Sequence, residues 1–204
     1  MNRRFNGPRR LARTLFAIAA MVAAPAHAHV AQGGVTGGLV AGFVHPILGL
    51  DHVVAMVAVG IWGAQLGRPA IYVLPITFPL VMAFGGVLGV MGVPIPGIET
   101  GIAASALILG AMIALAARPR LSVAGSLVAV FAIFHGYAHG AELPAAANAV
   151  SYAFGFVVAT GLLHAIGILV GTIGAWRAGP VALRAAGAAI AIIGVYYLIR
   201  AWTS

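Results

Sequence analysis

The chain alternates between long apolar segments and short stretches that carry arginine, proline or glycine. Six apolar segments lie between these interruptions, at about residues 34–65, 70–91, 98–117, 121–141, 148–175 and 181–202. A helix needs about 20 apolar residues to cross the hydrocarbon core of a bilayer. The pattern therefore predicts an all-α protein, a polytopic transmembrane helical bundle of about six spans.

The first apolar segment is too long for one straight span. At 1.5 Å per residue its roughly 30 residues would measure roughly 45 Å, against a hydrocarbon core of roughly 30 Å. Pro46 lacks the N–H that would bond to the carbonyl of Gly42, and Gly49 weakens the helix further. We expect the first span to be broken near Pro46. Such breaks expose carbonyl oxygens that bind cations in transporters, although prolines also occur in membrane helices without this role.

Composition supports a membrane protein and excludes a soluble catalytic domain, because 62% of residues are hydrophobic and only 7% are charged. Basic residues crowd the first thirteen positions and precede an apolar run, which is typical of a secretory signal peptide. We expect residues 1–28 to be cleaved, leaving 29–204 as a single transmembrane permease domain. Cleavage after Ala28 would make His29 the mature N-terminus, and cleavage after Ala26 is the alternative. The remaining six arginines and three acids form no basic patch, so we expect no nucleic-acid partner.

The arginines also predict an orientation. A cleaved signal peptide places the mature N-terminus in the periplasm, and alternation of the spans then places most arginines in the cytoplasm. These are Arg68, Arg118, Arg120, Arg177 and Arg184, with Arg200 on the opposite side. This distribution agrees with the positive-inside rule. We therefore expect a multi-pass protein of the bacterial cytoplasmic (inner) membrane.

Only three acidic residues occur, Asp51, Glu99 and Glu142. An ionisable group at the bilayer centre costs about 2.5–3.5 kcal/mol, so a carboxylate retained there indicates function. Two of the three lie in histidine-rich strings, which run from His45 to His52 and from His135 to Glu142. Cysteine is absent, which excludes thiolate sites. Imidazole and carboxylate together favour a first-row divalent cation such as nickel, cobalt or zinc.

The spacing of these residues is compatible with shared ligation of a metal ion. His135, His139 and Glu142 project from one face of a helix, and His45 and His52 share a face if their helix is continuous. Asp51 is either a direct ligand or an acceptor that orients an imidazole. We therefore predict a stepwise metal path from the periplasmic face to the middle of the membrane. Its predicted ligands are His45, Asp51, His52, His135, His139 and Glu142, with His29, Glu99 and His164 as weaker candidates.

At these residues the sequence resembles a known family. The stretches His45–Gly63 and Phe134–Glu142 are similar to the two motifs of the HupE/UreJ family, membrane accessory proteins of hydrogenase and urease systems regarded as nickel, sometimes cobalt, permeases. The likeness covers essentially the whole mature chain, including the histidine near the cleavage site, Glu99 and His164. The resemblance implies that the six principal candidates are the positions that matter for transport.

The expected function is secondary import of Ni²⁺, or of Co²⁺ or Zn²⁺, to supply a nickel enzyme such as hydrogenase or urease. We expect no enzymatic activity and no permanently bound cofactor. The expected partners are the metal ion, the lipid bilayer and nickel-enzyme assembly proteins. Three alternatives stay open: a membrane haem protein with histidine axial ligands, a scaffold that delivers nickel without transporting it, and an intramembrane zinc hydrolase. The hydrolase lacks support because no His-Glu-x-x-His string occurs.

Overall fold

The structure is a computed structural model that describes residues 35–143 and 148–203, and these residues form helices and short connections without any strand. The predicted signal peptide and His29 lie outside the described residues. The helices are α1 (Val35–Leu48), α2 (Leu50–Leu66), α3 (Ala70–Val90), α4 (Ile98–Ala114), α5 (Leu121–Ala141), α6 (Ala149–Thr172), a 3₁₀ turn (Ile173–Ala175) and α7 (Gly179–Thr203).

The six predicted apolar segments correspond to these helices, and the all-α transmembrane bundle is confirmed. Four helices, α3, α5, α6 and α7, are each long and apolar enough to cross a membrane. The pair α1 and α2 meets the same test as one bent span. Helix α4 is apolar but has only 17 residues, which makes it the shortest of the six hydrophobic elements.

The first span is broken, as predicted, and the break lies at Gly49, three residues after Pro46. Helices α1 and α2 meet there at 83°. Gly49 has an extended backbone (φ −87°, ψ 108°), whereas Pro46 remains inside the last turn of α1. Because α2 begins anew at Leu50, Asp51 falls in its first turn, where unpaired N–H groups favour a carboxylate. The break thus places an acid at a helix N-terminus within the apolar bundle.

Close packing of glycines holds α5 against α3. A methyl group added at Gly136 or Gly140 would collide with the backbone carbonyls of Met82 and Gly86 on α3. Such small residues spaced four apart allow helix backbones to touch. The second histidine string therefore has two functions on two faces. Its glycines pack against α3, while its histidines face the broken first span.

The remaining helices pack in two further groups. Helices α1 and α2 both lie along α6, and α4 packs against α7. Near the end of α2, the Trp62 Nε1–H donates to the Ala117 carbonyl, which follows α4, over 3.1 Å. This contact brings the connection containing Arg68 to the same end of the bundle as the connection containing Arg118 and Arg120. The arrangement agrees with the predicted alternation of spans, and the side of the membrane stays a prediction.

Candidate metal centre

The two histidine strings, nearly ninety positions apart in the sequence, meet in the fold. Four imidazoles contact one another in a continuous order, with ring centroids 4.8 Å apart for His45 and His139, 4.5 Å for His139 and His52, and 4.9 Å for His52 and His135. We call these four residues the imidazole row. The row alternates between the broken first span and α5, so it exists only because α5 packs beside the break at Gly49.

One end of the row carries a carboxylate. The Glu142 side chain, just after the end of α5, places Oε2 at 3.1 Å from Nε2 of His45. His139 joins these two, and one ligand atom from each of the three residues lies within 4.8 Å of the others. Two imidazoles and a carboxylate at this separation are a suitable donor set for a first-row divalent cation.

The tautomer of His52 follows from its contacts with Asp51. The Asp51 Oδ1 accepts a hydrogen bond from the backbone N–H of His52 and another from its Nδ1, both at 2.9 Å. An ionised carboxylate can only accept, so the proton is on Nδ1 and the lone pair on Nε2. That Nε2 is buried and makes no hydrogen bond among the described residues. Metal-ligating histidines are commonly oriented in this way. Asp51 therefore orients the His52 ring through Oδ1.

The two ends of the row differ in exposure, although the decrease between them is not uniform, because the His52 side chain is 14% exposed. The side chains of Glu142 and His45 are 57% and 35% exposed. His139 is only 5% exposed and His135 is completely buried. The row therefore connects an accessible carboxylate to imidazoles in the interior of the bundle, as a stepwise path requires.

His139 occupies the centre of the row. It contacts His45 and His52, and its ring also lies 4.1 Å from that of Phe156. Neither of its ring nitrogens makes a hydrogen bond within residues 35–143 and 148–203. A crevice of about 400 Å³ between α3, α5 and α6 also borders His139, but its lining is almost entirely apolar. A hydrated cation is disfavoured there, which leaves the exposed side chains of Glu142 and His45 as the polar approach to His139.

Not every predicted ligand joins the row. Glu99 is exposed in the first turn of α4, and it belongs to no ion pair or potential metal group that the described residues form. His164 is buried on α6, and the ring of Phe78 packs against both His164 and His135 of the row. The Phe78 ring centroid lies 5.4 Å from that of His135 and 5.3 Å from that of His164. His164 is therefore close to the row without touching it.

Four neighbours of the row were not anticipated from the sequence, and one of them is Phe156, whose ring lies against that of His139. Phe78 is one apolar residue among many, so no signal distinguishes it. Tyr152, whose ring centroid is 6.1 Å from that of His45, is an aromatic residue near the start of a membrane helix, which is a common position. Ser105, hydrogen bonded to His135, carries a weak signal, because it is a polar residue in the middle of an apolar helix.

Comparison with known proteins agrees with these motifs. The family model described as HupE / UreJ protein matches residues 16–197. The chain is similar to "Protein HupE" of Rhizobium leguminosarum bv. viciae, with 43% identity over 180 residues that cover 88% of this chain and 94% of that protein. No solved structure matches the chain. The whole described bundle lies within the matched range apart from the end of α7.

Proposed function

This chain belongs to the HupE/UreJ family of nickel-related membrane accessory proteins of hydrogenase and urease systems, and on that premise we propose that it imports Ni²⁺ into the cytoplasm. The alternative cargo is Co²⁺, which the same donor set also accepts. The imported ion would supply a nickel enzyme such as hydrogenase or urease.

The observation that carries this proposal is the imidazole row together with the contrast between its exposed end, at Glu142 and His45, and its fully buried end at His135. A site that only stores a metal needs one set of converging ligands. Here four imidazoles follow one another from an exposed carboxylate into a buried interior, with ring-to-ring distances of 4.5–4.9 Å. Polar groups of this kind inside a membrane typically mark ion pathways.

Glu142 and the residues of the row have separate roles in moving a cation. Glu142, at the accessible end, attracts the ion and offsets its charge. His45 and His139 then replace part of its hydration shell, and His139 passes it to His52, whose Nε2 lone pair is held ready by Asp51. Only a few ligands surround the ion at each imidazole. No imidazole therefore binds the ion too tightly for release to the next one. His164, which packs against Phe78, is the candidate for a further metal-binding position.

The driving force for import is the membrane potential. Moving one elementary charge across 100 mV is worth about 2.3 kcal/mol, so a divalent cation gains about 4.6 kcal/mol. This corresponds to an equilibrium accumulation on the order of 10³-fold. Uptake of a trace cation therefore requires no nucleotide hydrolysis.

The geometry disfavours the haem alternative. Two axial histidines of a haem lie on opposite faces of the macrocycle, whereas the imidazoles of the row touch one another directly. Their other neighbours include the aromatic rings of Phe78 and Phe156. A porphyrin would have to separate rings that are now in contact. A scaffold that delivers nickel without transporting it could use the same ligands as an importer. An uptake assay distinguishes the two functions.

The test is uptake of radioactive nickel by cells that lack other nickel importers. Cells expressing the intact protein should accumulate nickel, whereas His52→Ala and His139→Ala should reduce uptake to background at equal protein levels. The Ser151→Ala variant is the control, because Ser151 lies on α6 and bonds only to Asn148 among the described residues. Equal uptake by the intact protein and both histidine variants would refute the proposal.

A further inference from the structure

Ser105 is the one residue of α4 that makes a hydrogen bond to the imidazole row within the described part of the chain. It is fully buried, in the middle of the helix. Its Oγ lies 2.6 Å from the backbone carbonyl of Ile102 and 2.9 Å from Nε2 of His135. Both partners compete for the same hydroxyl, which can donate only one proton.

The carbonyl decides which atom receives that proton. The Ile102 oxygen has no hydrogen to donate, so the short contact of 2.6 Å requires that the Ser105 hydroxyl donates to it. A lone pair of Oγ then faces His135, and Nε2–H of His135 must donate to it. The proton of a neutral imidazole is on one nitrogen only, so Nδ1 carries the lone pair.

The other side of the His135 ring has no hydrogen-bonding partner. Its Nδ1 is buried and forms no hydrogen bond among the described residues. An unpaired acceptor in an apolar interior is unfavourable and is seldom retained without a function. The ring of His52 is the neighbouring member of the row, at 4.9 Å. A cation leaving Nε2 of His52 would find the bare Nδ1 of His135 at the next imidazole.

We propose that Ser105 is a positioning residue that fixes His135 as its Nε2–H tautomer and so presents Nδ1 as a ligand to the transported divalent cation. This inference rests on the proposed function and adds to it a residue outside both histidine strings. Ser105 does for His135 what Asp51 does for His52, since each uses an oxygen to occupy one ring nitrogen and leave the other bare.

Asp51 and Ser105, which position the two imidazoles, differ in charge, and this difference affects how strongly each imidazole binds a cation. A carboxylate partner raises the basicity of a ligating imidazole, whereas a serine hydroxyl is neutral. His135 is therefore the weaker ligand of the pair. A cation that moves from the carboxylate-backed His52 to the serine-backed His135 moves towards weaker binding, which favours release at the buried end of the row.

The first test is nitrogen NMR on the full-length, metal-free protein labelled with ¹⁵N-histidine in lipid. The His135 signals are assigned by their loss in His135→Gln. We expect a protonated Nε2 and a bare Nδ1, and titration with Zn²⁺ as a diamagnetic probe should shift the Nδ1 signal. A protonated Nδ1 in the metal-free protein would overturn the proposal, as would an Nδ1 signal that Zn²⁺ leaves unchanged.

The second test compares Ser105→Ala with Ser151→Ala. Both remove a buried hydroxyl that donates to a carbonyl three residues earlier, but Ser151 makes no hydrogen bond to an imidazole among the described residues. In Ser105→Ala we expect mixed His135 tautomers and a roughly two- to tenfold higher half-saturating nickel concentration, the loss typical of one neutral hydrogen bond. Ser151→Ala should match the intact protein. A Ser105→Ala variant that keeps the single tautomer and the original half-saturation would refute the assignment.

The two proposals can fail separately. The intact protein could show the expected tautomer and bind Zn²⁺ through Nδ1 but accumulate no nickel in liposomes. In that case the transport proposal is wrong, and the role of Ser105 as a positioning residue for a metal ligand stands. If nickel accumulates but Nδ1 of His135 is protonated, transport stands and the inference about Ser105 is wrong.

Discussion

Replacing Asp51 tests whether a carboxylate acts through an imidazole. Asp51 Oδ1 is 2.9 Å from Nδ1 of His52, and the Nε2 on the opposite side of that ring is bare and buried. When a cation binds Nε2, the ring becomes more positive and its bond to the carboxylate strengthens. We therefore expect the Asp51→Asn and Asp51→Ala variants to bind nickel more weakly, and to different extents.

The expected magnitudes follow from the bond that each variant retains. A hydrogen bond to a charged group is worth about 1.5–3 kcal/mol and a neutral one about 0.5–1.5 kcal/mol. Asp51→Asn exchanges one for the other, which costs about 1–1.5 kcal/mol, or about five- to tenfold in affinity. Asp51→Ala removes the acceptor, and loss of such an orienting partner typically costs about 10–100-fold.

The assay is calorimetric titration of the purified protein with Ni²⁺, repeated in a His52→Ala background. If Asp51 acts through His52, Asp51→Asn should add little further loss once His52 is absent. An equal loss in both backgrounds would show that Asp51 binds the ion by itself. No loss in either background would refute the role of Asp51 altogether.

Three further changes separate the contributions of charge, packing and hydroxyl groups. Glu142→Gln should raise the half-saturating concentration for nickel uptake about tenfold with less effect on the maximal rate, because Glu142 stands at the accessible end of the row; an unchanged half-saturation would contradict this. Gly136→Ala should lower the free energy of unfolding by about 1–3 kcal/mol, measured by thermal unfolding in detergent, because the added methyl collides with the Met82 carbonyl; an unaltered melting temperature would show that α3 and α5 are not in backbone contact. Tyr152→Phe should leave the melting temperature nearly unchanged, since the Tyr152 hydroxyl has no hydrogen-bond partner among the described residues, and a large loss would reveal one.

Much of the fold can be predicted from the sequence because a bilayer imposes a strict length on apolar segments. The exact position of the break in the first span, however, does not follow from segment length. Two helix-weakening residues, Pro46 and Gly49, lie three apart, and the sequence favours the proline. In the structure, Pro46 stays within the last turn of α1 and the extended residue is Gly49. Packing with other helices decides which of the two residues interrupts the helix.

The candidate site, like the fold, can be predicted only in part from the sequence. The shared face of His135, His139 and Glu142 follows from helical spacing alone. A shared face for His45 and His52 would require a continuous helix, and this condition does not hold because the helix bends by 83°. They reach the same partner, His139, across the bend instead. The roles of Ser105 and Phe78 depend on how α3 and α4 pack against α5, which one sequence does not define.

The most direct test of Ni²⁺ import is nickel uptake by the purified protein alone in liposomes with an imposed potential. With the interior negative by 100 mV, we expect accumulation towards a ratio on the order of 10³-fold. We also expect this accumulation to collapse when the potential is removed, and uptake to be lost in His139→Ala. Stoichiometric nickel binding without accumulation at any potential would contradict import and identify the protein as a metal-delivery scaffold.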